Sequence, residues 1–279
     1  MSTLLKVRPK VDIAFKKIFT ENEELLKNLL IEALALHSAE SILLKPSEVT
    51  PQNPDEKFCR FDIRVEVDKI DIDVEIQLAK RADFRARAEY YSSLLFTHLK
   101  RGDNYNELPR TIVVCFVEHP LFDWPEYHSE FVTMERTYHE PLTELKEIHF
   151  FELKKIPLLK DAKTKLEYWL NVIAAETEED IAEISKTVQD ADIQTALDEV
   201  RRLNKDPKFI DEVAAREVNI REEASALSAS RQEGEGIGEN RKELQNVKAL
   251  HADGMSYEKI ASVLNISDER MAEIRKELE

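Results

Sequence analysis

The sequence predicts an α/β domain, a mixed central sheet packed between helices, followed by an all-helical extension. Three observations predict it. Residues 61–67 and 70–78 alternate apolar and polar side chains, the signature of paired strands. Residues 111–117, TIVVCFV, form a continuous apolar run of the kind a buried central strand requires. Beyond about residue 155 the strand signal disappears and helical periodicity takes over.

The elements follow in order. Residues 10–37 place Ile13, Phe15, Ile18, Phe19, Leu25, Leu26, Leu29, Leu30 and Leu34 at helical spacing. Thr20 and Asn22 mark a break with a new N-cap, so two helices are expected. A short strand at Ser41–Leu44 precedes a loop holding Pro46, Pro51 and Pro54. The alternating hairpin comes next, then a helix over 82–100 closed by Arg101-Gly102. Strands at 111–117, 130–137 and 148–153 complete the sheet. Residues 161–230 read as acidic, Ala/Glu-rich helix, and 233–240, EGEGIGEN, as a hinge. The last stretch reads as a helix, then SYEKIASVL, the break NIS, and SDERMAEIRKELE.

The 279 residues suggest about two domains. Five glycines leave no glycine-rich phosphate cradle, and Gly234-x-Gly236-x-Gly238 follows helix rather than strand, so no nucleotide cofactor is expected. No apolar run approaches membrane-spanning length and the N-terminus lacks a signal-peptide core; a cytoplasmic, membrane-free protein is expected. Cys59 and Cys115 make neither a disulfide framework nor a zinc site, and Cys59 reads as a packed thiol. The seven histidines form no i,i+4 pair, so zinc is not expected. Net charge is −16, unevenly spread: −5 over residues 1–160 and −11 over 161–279. Residues 80–101 carry six basic and two acidic side chains, which leaves room for a DNA-contacting face in an acidic protein.

The hairpin carries the most chemistry. Taking Lys69-Ile70 as its two-residue loop places Asp62 opposite Gln77 and Arg64 opposite Glu75. Asp62 and Glu75 are then diagonal neighbours about 7–8 Å apart at the backbone, able to share one divalent ion. The alternative is a solvated polar face, although Asp71, Asp73, Glu75 and Gln77 hold no basic residue to relieve their repulsion.

The segments KVDIAFKKIF, KFCRFDIRVEVD, IDVEIQL, FRARAEYYSSLL and GDNYNELPRTIVVCFVEH occur in the order and spacing of one bacterial family. Over residues 8–155 the chain resembles the recombination-promoting nuclease (Rpn) family, also called PD-(D/E)XK nuclease family transposases. The resemblance implies a restriction-endonuclease-like core, within a domain over residues 1–157; the residues beyond it read as an acidic helical region over 158–232 and a hinge with a helix-turn-helix-like segment over 233–279. The resemblance also implies a metal-dependent endonuclease acting on double-stranded DNA. Asp62 and Glu75 match the metal-binding acids, with Mg²⁺, or Mn²⁺ or Ca²⁺ in its place. Gln77 stands where the wider superfamily has a catalytic lysine.

Asp12 matches a family position near the metal and is equally explained as a helix N-cap. Lys16, Arg85, Arg87 and Tyr90 are DNA-contact candidates; Arg87 and Tyr90 share a helix face, and the alternatives are solvated lysine and core packing. The terminal segment resembles a helix-turn-helix with Ile260, Ala261, Val263, Leu264 and Ile266 as its core. Its acidic last helix repels phosphates, which favours protein contact or homo-oligomerisation through the tail, or competition with DNA for the basic face. The competing functional reading is a non-catalytic binding module, derived from a mobile element and working through that tail.

Overall fold

In the computed structural model, two amphipathic helices open the fold, α1 (Asp12–Thr20) and α2 (Glu23–Ala33), separated at Glu21-Asn22 as their spacing predicts. The structure describes residues 3–49, 59–96 and 104–278. Pro51, Pro54, Lys100 and the expected helix stop Arg101-Gly102 lie outside the described residues.

Contact density divides the chain into a first unit, Met1–Val213, and a second, Ala214–Glu279. The first holds a six-stranded mixed sheet. Its strands are β1 (Ile42–Lys45), β4 (Ile63–Val67), β5 (Ile70–Gln77), β6 (Thr111–Val117), β8 (Lys146–Glu152) and β7 (His128–Val132), in that spatial order. β2 (Glu48–Val49) and β3 (Cys59–Arg60) form a separate short antiparallel pair. β5, β6 and β8 run parallel, and the other pairings in the sheet are antiparallel. Every residue of β6 is buried, as a central parallel strand demands.

Both faces of the sheet are covered. Ile72, Val74, Ile76, Ile112, Val114 and Phe116 pack against α1 and α2 and against α4 (Lys165–Ala174) and α6 (Ala191–Leu203), in one core with Phe15, Phe19, Leu29 and Trp169. The opposite face lies under α3 (Phe84–Phe96), where Phe84, Ala88, Tyr91 and Leu95 meet Val113, Cys115 and Phe150. The architecture is the expected one, a mixed sheet between helices with a helical C-terminal region.

The hairpin register differs from the expected one. Val67 faces Ile70, so the loop is Asp68-Lys69 rather than Lys69-Ile70, and Arg64 faces Asp73 instead of Glu75. Both loop residues have positive φ, 47° and 70°, the backbone of a type I′ turn. Asp68 tolerates this because its carboxylate is tied down: the backbone N–H groups of Glu40 and Ser41 and the Ser41 hydroxyl all donate to it. Those bonds hold its pKa below the usual carboxylate value. The solvated-face alternative also fails, since α3 covers the acidic side of β5, leaving Asp71, Asp73 and Glu75 buried.

After α4 come α5 (Glu178–Thr187) and α6; Thr164 and Thr177 close capping boxes at the starts of α4 and α5. α7 then runs from Pro207 to Ala252. The expected glycine hinge lies inside this helix. Each glycine costs roughly 1 kcal/mol relative to alanine there, and the surrounding Glu, Arg, Lys, Gln and Ala residues are strong helix formers that offset it.

In the second unit, α8 (Tyr257–Leu264) and α9 (Asp268–Leu278) enclose a small core of Val247, Ile260, Ala261, Met271 and Ile274, flanked by Leu264 and Ile266. Val263, expected in that core, is 60% exposed. Asn265, at φ 54°, makes the break between the two helices, and the Ile266 N–H closes it onto Ala261 O. No described helix is long and apolar enough to cross a membrane.

Candidate active site

The corrected register brings Asp62 and Glu75 into direct opposition. Asp62 lies one residue before the first pair of the ladder, Ile63–Val74, and two side-chain-to-backbone bonds tie it to β5. The Asp62 N–H donates to Glu75 Oε1 at 2.9 Å, and the Ile76 N–H donates to Asp62 Oδ2 at 3.0 Å. Each carboxylate is thus fixed by the backbone of the opposing strand.

One cation from each flanking helix reaches the pair. Lys16 of α1 meets Asp62 Oδ1 at 2.7 Å, and Arg87 of α3 meets Glu75 Oε2 at 2.9 Å. Beside them stands Asp73, two residues before Glu75 on the same strand face. It is fully buried, and neither of its carboxylate oxygens has a hydrogen-bond partner. Arg64, directly across from Asp73, spends its guanidinium on Asp71, with contacts of 2.6 and 3.2 Å. Three carboxyl groups therefore crowd against two cations.

Proton affinities record the imbalance. Burial, and then the Asp62 charge, push Glu75 up to about 8, against the opposing pull of Arg87. Burial, followed by Glu75 and Asp62, pushes Asp73 well above the usual carboxylate value. Tyr91 rises to about 12, mainly through burial. A site that raises its own carboxyls in this way lacks positive charge, so the donor set suits a hard divalent cation with oxygen ligands.

Gln77 shares the Glu75 face, at the end of β5, and its side-chain amide donates to Ala79 O at 2.7 Å. Asp12 occupies the first turn of α1, half-buried, one turn before Lys16 on the same helix face. Val11 holds the N-cap position, so Asp12 is not the cap.

A groove of about 660 Å³ opens beside Arg87, lined by Arg60, Arg81, Arg87, Tyr90 and Tyr91 among others. Arg85 does not join it. Its guanidinium lies 5.5 Å from the Phe122 ring centre and faces a different pocket of the sheet. The aromatic partner of Arg87 is Tyr91 rather than Tyr90, with the guanidinium 4.9 Å from the Tyr91 ring centre. Tyr90 lines the groove, 41% exposed.

Asp73 and Tyr91 were not singled out by sequence reasoning. The spacing Phe84, Ala88, Tyr91, Leu95 marks Tyr91 as the inward tyrosine of α3. Asp73 left no comparable signal, because alternation places it on the same face as Glu75 whether that face is covered or not.

A family model described as PD-(D/E)XK nuclease family transposase matches residues 9–230, well past the segments that carry the resemblance. Comparison with curated proteins gives no match, and neither does comparison with solved structures. The match spans the sheet, both flanking helical layers and the opposed Asp62–Glu75 pair, and the chain belongs to the PD-(D/E)XK nuclease family transposases.

Proposed function

We propose that this protein hydrolyses phosphodiester bonds of double-stranded DNA, using a divalent ion, Mg²⁺ by preference, held by Asp62 and Glu75. The observation that carries the proposal is the juxtaposition of the half-buried Asp62 and the buried Glu75 carboxylates in a pocket short of positive charge. When bound, the ion polarises a phosphoryl oxygen and lowers the pKa of an attacking water.

The chain's own residues do the rest. The exchanged backbone bonds hold both carboxylates in place before any ligand arrives, so little reorganisation is needed on binding. Asp12, one turn before Lys16, offers a further oxygen from α1. Gln77 carries no charge; its side-chain oxygen can accept a hydrogen bond from the nucleophilic water and orient it, which is weaker help than a lysine gives. Lys16 and Arg87 pair with the two carboxylates, and with an ion held there they would be placed to turn toward phosphate. Arg60, Arg81 and Tyr90 give the groove a basic, aromatic lining suited to a phosphate backbone.

The test uses supercoiled plasmid with wild type, Asp62→Asn and Glu75→Gln, in Mg²⁺ and in EDTA. Wild type should nick or linearise the plasmid only with the divalent ion, and both variants should lose this while keeping their fold by circular dichroism. Equal cleavage by folded Asp62→Asn would overturn the assignment. DNA binding with no cleavage under any divalent ion would favour the binding-module reading instead.

A further inference from the structure

The edge strand β7 and its neighbour β8 carry mirror-image motifs, His128-Ser-Glu130 on β7 and Glu147-Ile-His149 on β8. The strands are antiparallel, with Glu130 opposite His149 and His128 opposite Phe151. Alternation then puts all four side chains on one face of the sheet. The ligating atoms of Glu130, Glu147 and His149 lie within 4.8 Å of one another, a grouping of three such donors that the Asp62–Glu75 pair does not form.

We propose that Glu130, Glu147 and His149 form a second metal site, for a borderline transition ion of the Zn²⁺ type, which ties the edge strand β7 to β8. Four features support it. His149 Nε2 stands 3.3 Å from Glu147 Oε2. That is long for a charge-assisted hydrogen bond, about 2.7–2.9 Å. It equals the ligand-to-ligand edge of a tetrahedron with bonds of about 2.0–2.1 Å. The other ring nitrogen, His149 Nδ1, meets His128 Nε2 at 3.0 Å, the outer hydrogen bond that orients a metal-ligating imidazole. Arg110 grips both oxygens of Glu147 at 2.7 and 2.9 Å and so fixes the second ligand. Glu130 is exposed and has no ion-pair partner among the described residues, which leaves an entry path and open positions for water.

An imidazole with two carboxylates selects Zn²⁺-type ions over Mg²⁺, which takes oxygen ligands almost exclusively. The absence of helical histidine pairs, which led sequence reasoning to expect no zinc, has no bearing on ligands spaced i,i+2 along two strands. This site shares no residue with the Asp62–Glu75 pair, so either reading can fail alone.

The experiment uses full-length, metal-free protein carrying Asp62→Asn to silence the first site. Zn²⁺ binding is measured by calorimetry, and Co²⁺ serves as a visible-absorption probe. One Zn²⁺ should bind with micromolar or tighter affinity. Adding Glu130→Ala, an exposed change that leaves the fold intact, should weaken binding at least about tenfold and alter the Co²⁺ spectrum. The thermal midpoint should rise with Zn²⁺ only when Glu130 is present. No Zn²⁺ binding in that concentration range, or a smaller effect of Glu130→Ala, would overturn the proposal.

Discussion

Glu75 ties the stability of the metal-free protein to pH in a direction opposite to most carboxylates. Its folded pKa, about 8, lies above the unfolded value of 4.5. Below about pH 4.5 the group is protonated in both states and costs nothing. As pH rises from there toward 8, the unfolded chain ionises while the native site holds its proton, so stability falls. The slope is about 1.4 kcal/mol per pH unit for one group and halves as pH reaches 8, giving roughly 2 kcal/mol between pH 6 and pH 8. At roughly 2–4 °C per kcal/mol for a domain of this size, the melting temperature without metal should drop by about 4–8 °C over that range. Asp73 acts in the same direction, while His128, its pKa lowered by burial, opposes them in the lower part of that range. In the proposed metal role of Glu75 a divalent ion would bind the ionised form, so Mg²⁺ should restore the loss, most of all at pH 8. Its apparent affinity should rise about tenfold per pH unit below 8 and level off above, with a proton released on binding. Differential scanning fluorimetry from pH 6 to 8, with Mg²⁺ and with EDTA, measures the stability. Calorimetry in buffers of different ionisation enthalpy counts the proton. In Glu75→Gln the EDTA slope should fall by at least half and the Mg²⁺ effect should vanish. A Glu75→Gln slope equal to wild type would refute the reasoning, as would Mg²⁺ affinity that does not change between pH 6 and 8.

Further consequences bear on neighbouring residues. Arg87→Ala removes the cation that opposes protonation of Glu75, so the pH at which Mg²⁺ begins to stabilise the protein should move upward by one unit or more, read in the same fluorimetry. Asp73→Asn keeps the volume and removes one of three crowded carboxyls; it should lower the pH midpoint of Mg²⁺ binding in calorimetry and flatten the metal-free pH slope. In the second unit, Val247→Ala deletes fully buried methyls and should destabilise the terminal helices by about 1–3 kcal/mol, whereas Val263→Lys on the exposed face should stay within about 0.5 kcal/mol; urea unfolding followed by circular dichroism distinguishes them.

Most elements of the sheet were legible because period-2 alternation and continuous apolar runs are strong local signals. The register was not. Asp68-Lys69 lacks the glycine or asparagine that advertises a type I′ turn, and what permits it is distant in sequence: Glu40 and Ser41 close over the Asp68 carboxylate. A change of two in the pairing sum leaves every side chain on its face, so alternation alone cannot detect it, yet it converts Asp62 and Glu75 from diagonal to direct partners. Residue types at the site were readable, and their partners were not. Lys16 and Arg87 drew attention as cations for phosphate, and the structure sets both against carboxylates. The glycines near residue 236 locally suggest a hinge, while the helix formers on either side carry α7 through them.

The acidic strand itself shows why such a site resists reading from sequence. On β5, Asp71, Asp73 and Glu75 look like the solvated half of a hairpin, since an isolated hairpin needs one polar face. Two additions change their meaning: β6 pairs in parallel along the free edge, and α3 closes over the face. Asp71 is then answered by Arg64 and Glu75 by Arg87, while Asp73 has no hydrogen-bond partner. Burying three carboxyls with incomplete compensation is costly for the fold, and a core strand chosen for stability alone would carry valines there, as β6 does. Arg87 spans both accounts: it holds Glu75 in the metal-free protein and lines the groove where phosphate would lie. With a cation held by Glu75 under the proposed function, the Arg87 guanidinium would be free for phosphate, so metal binding and DNA grip are expected to strengthen each other. DNA affinity of an Arg87→Ala variant should therefore lose its dependence on the divalent ion, while wild type should bind more tightly in Ca²⁺ than in EDTA.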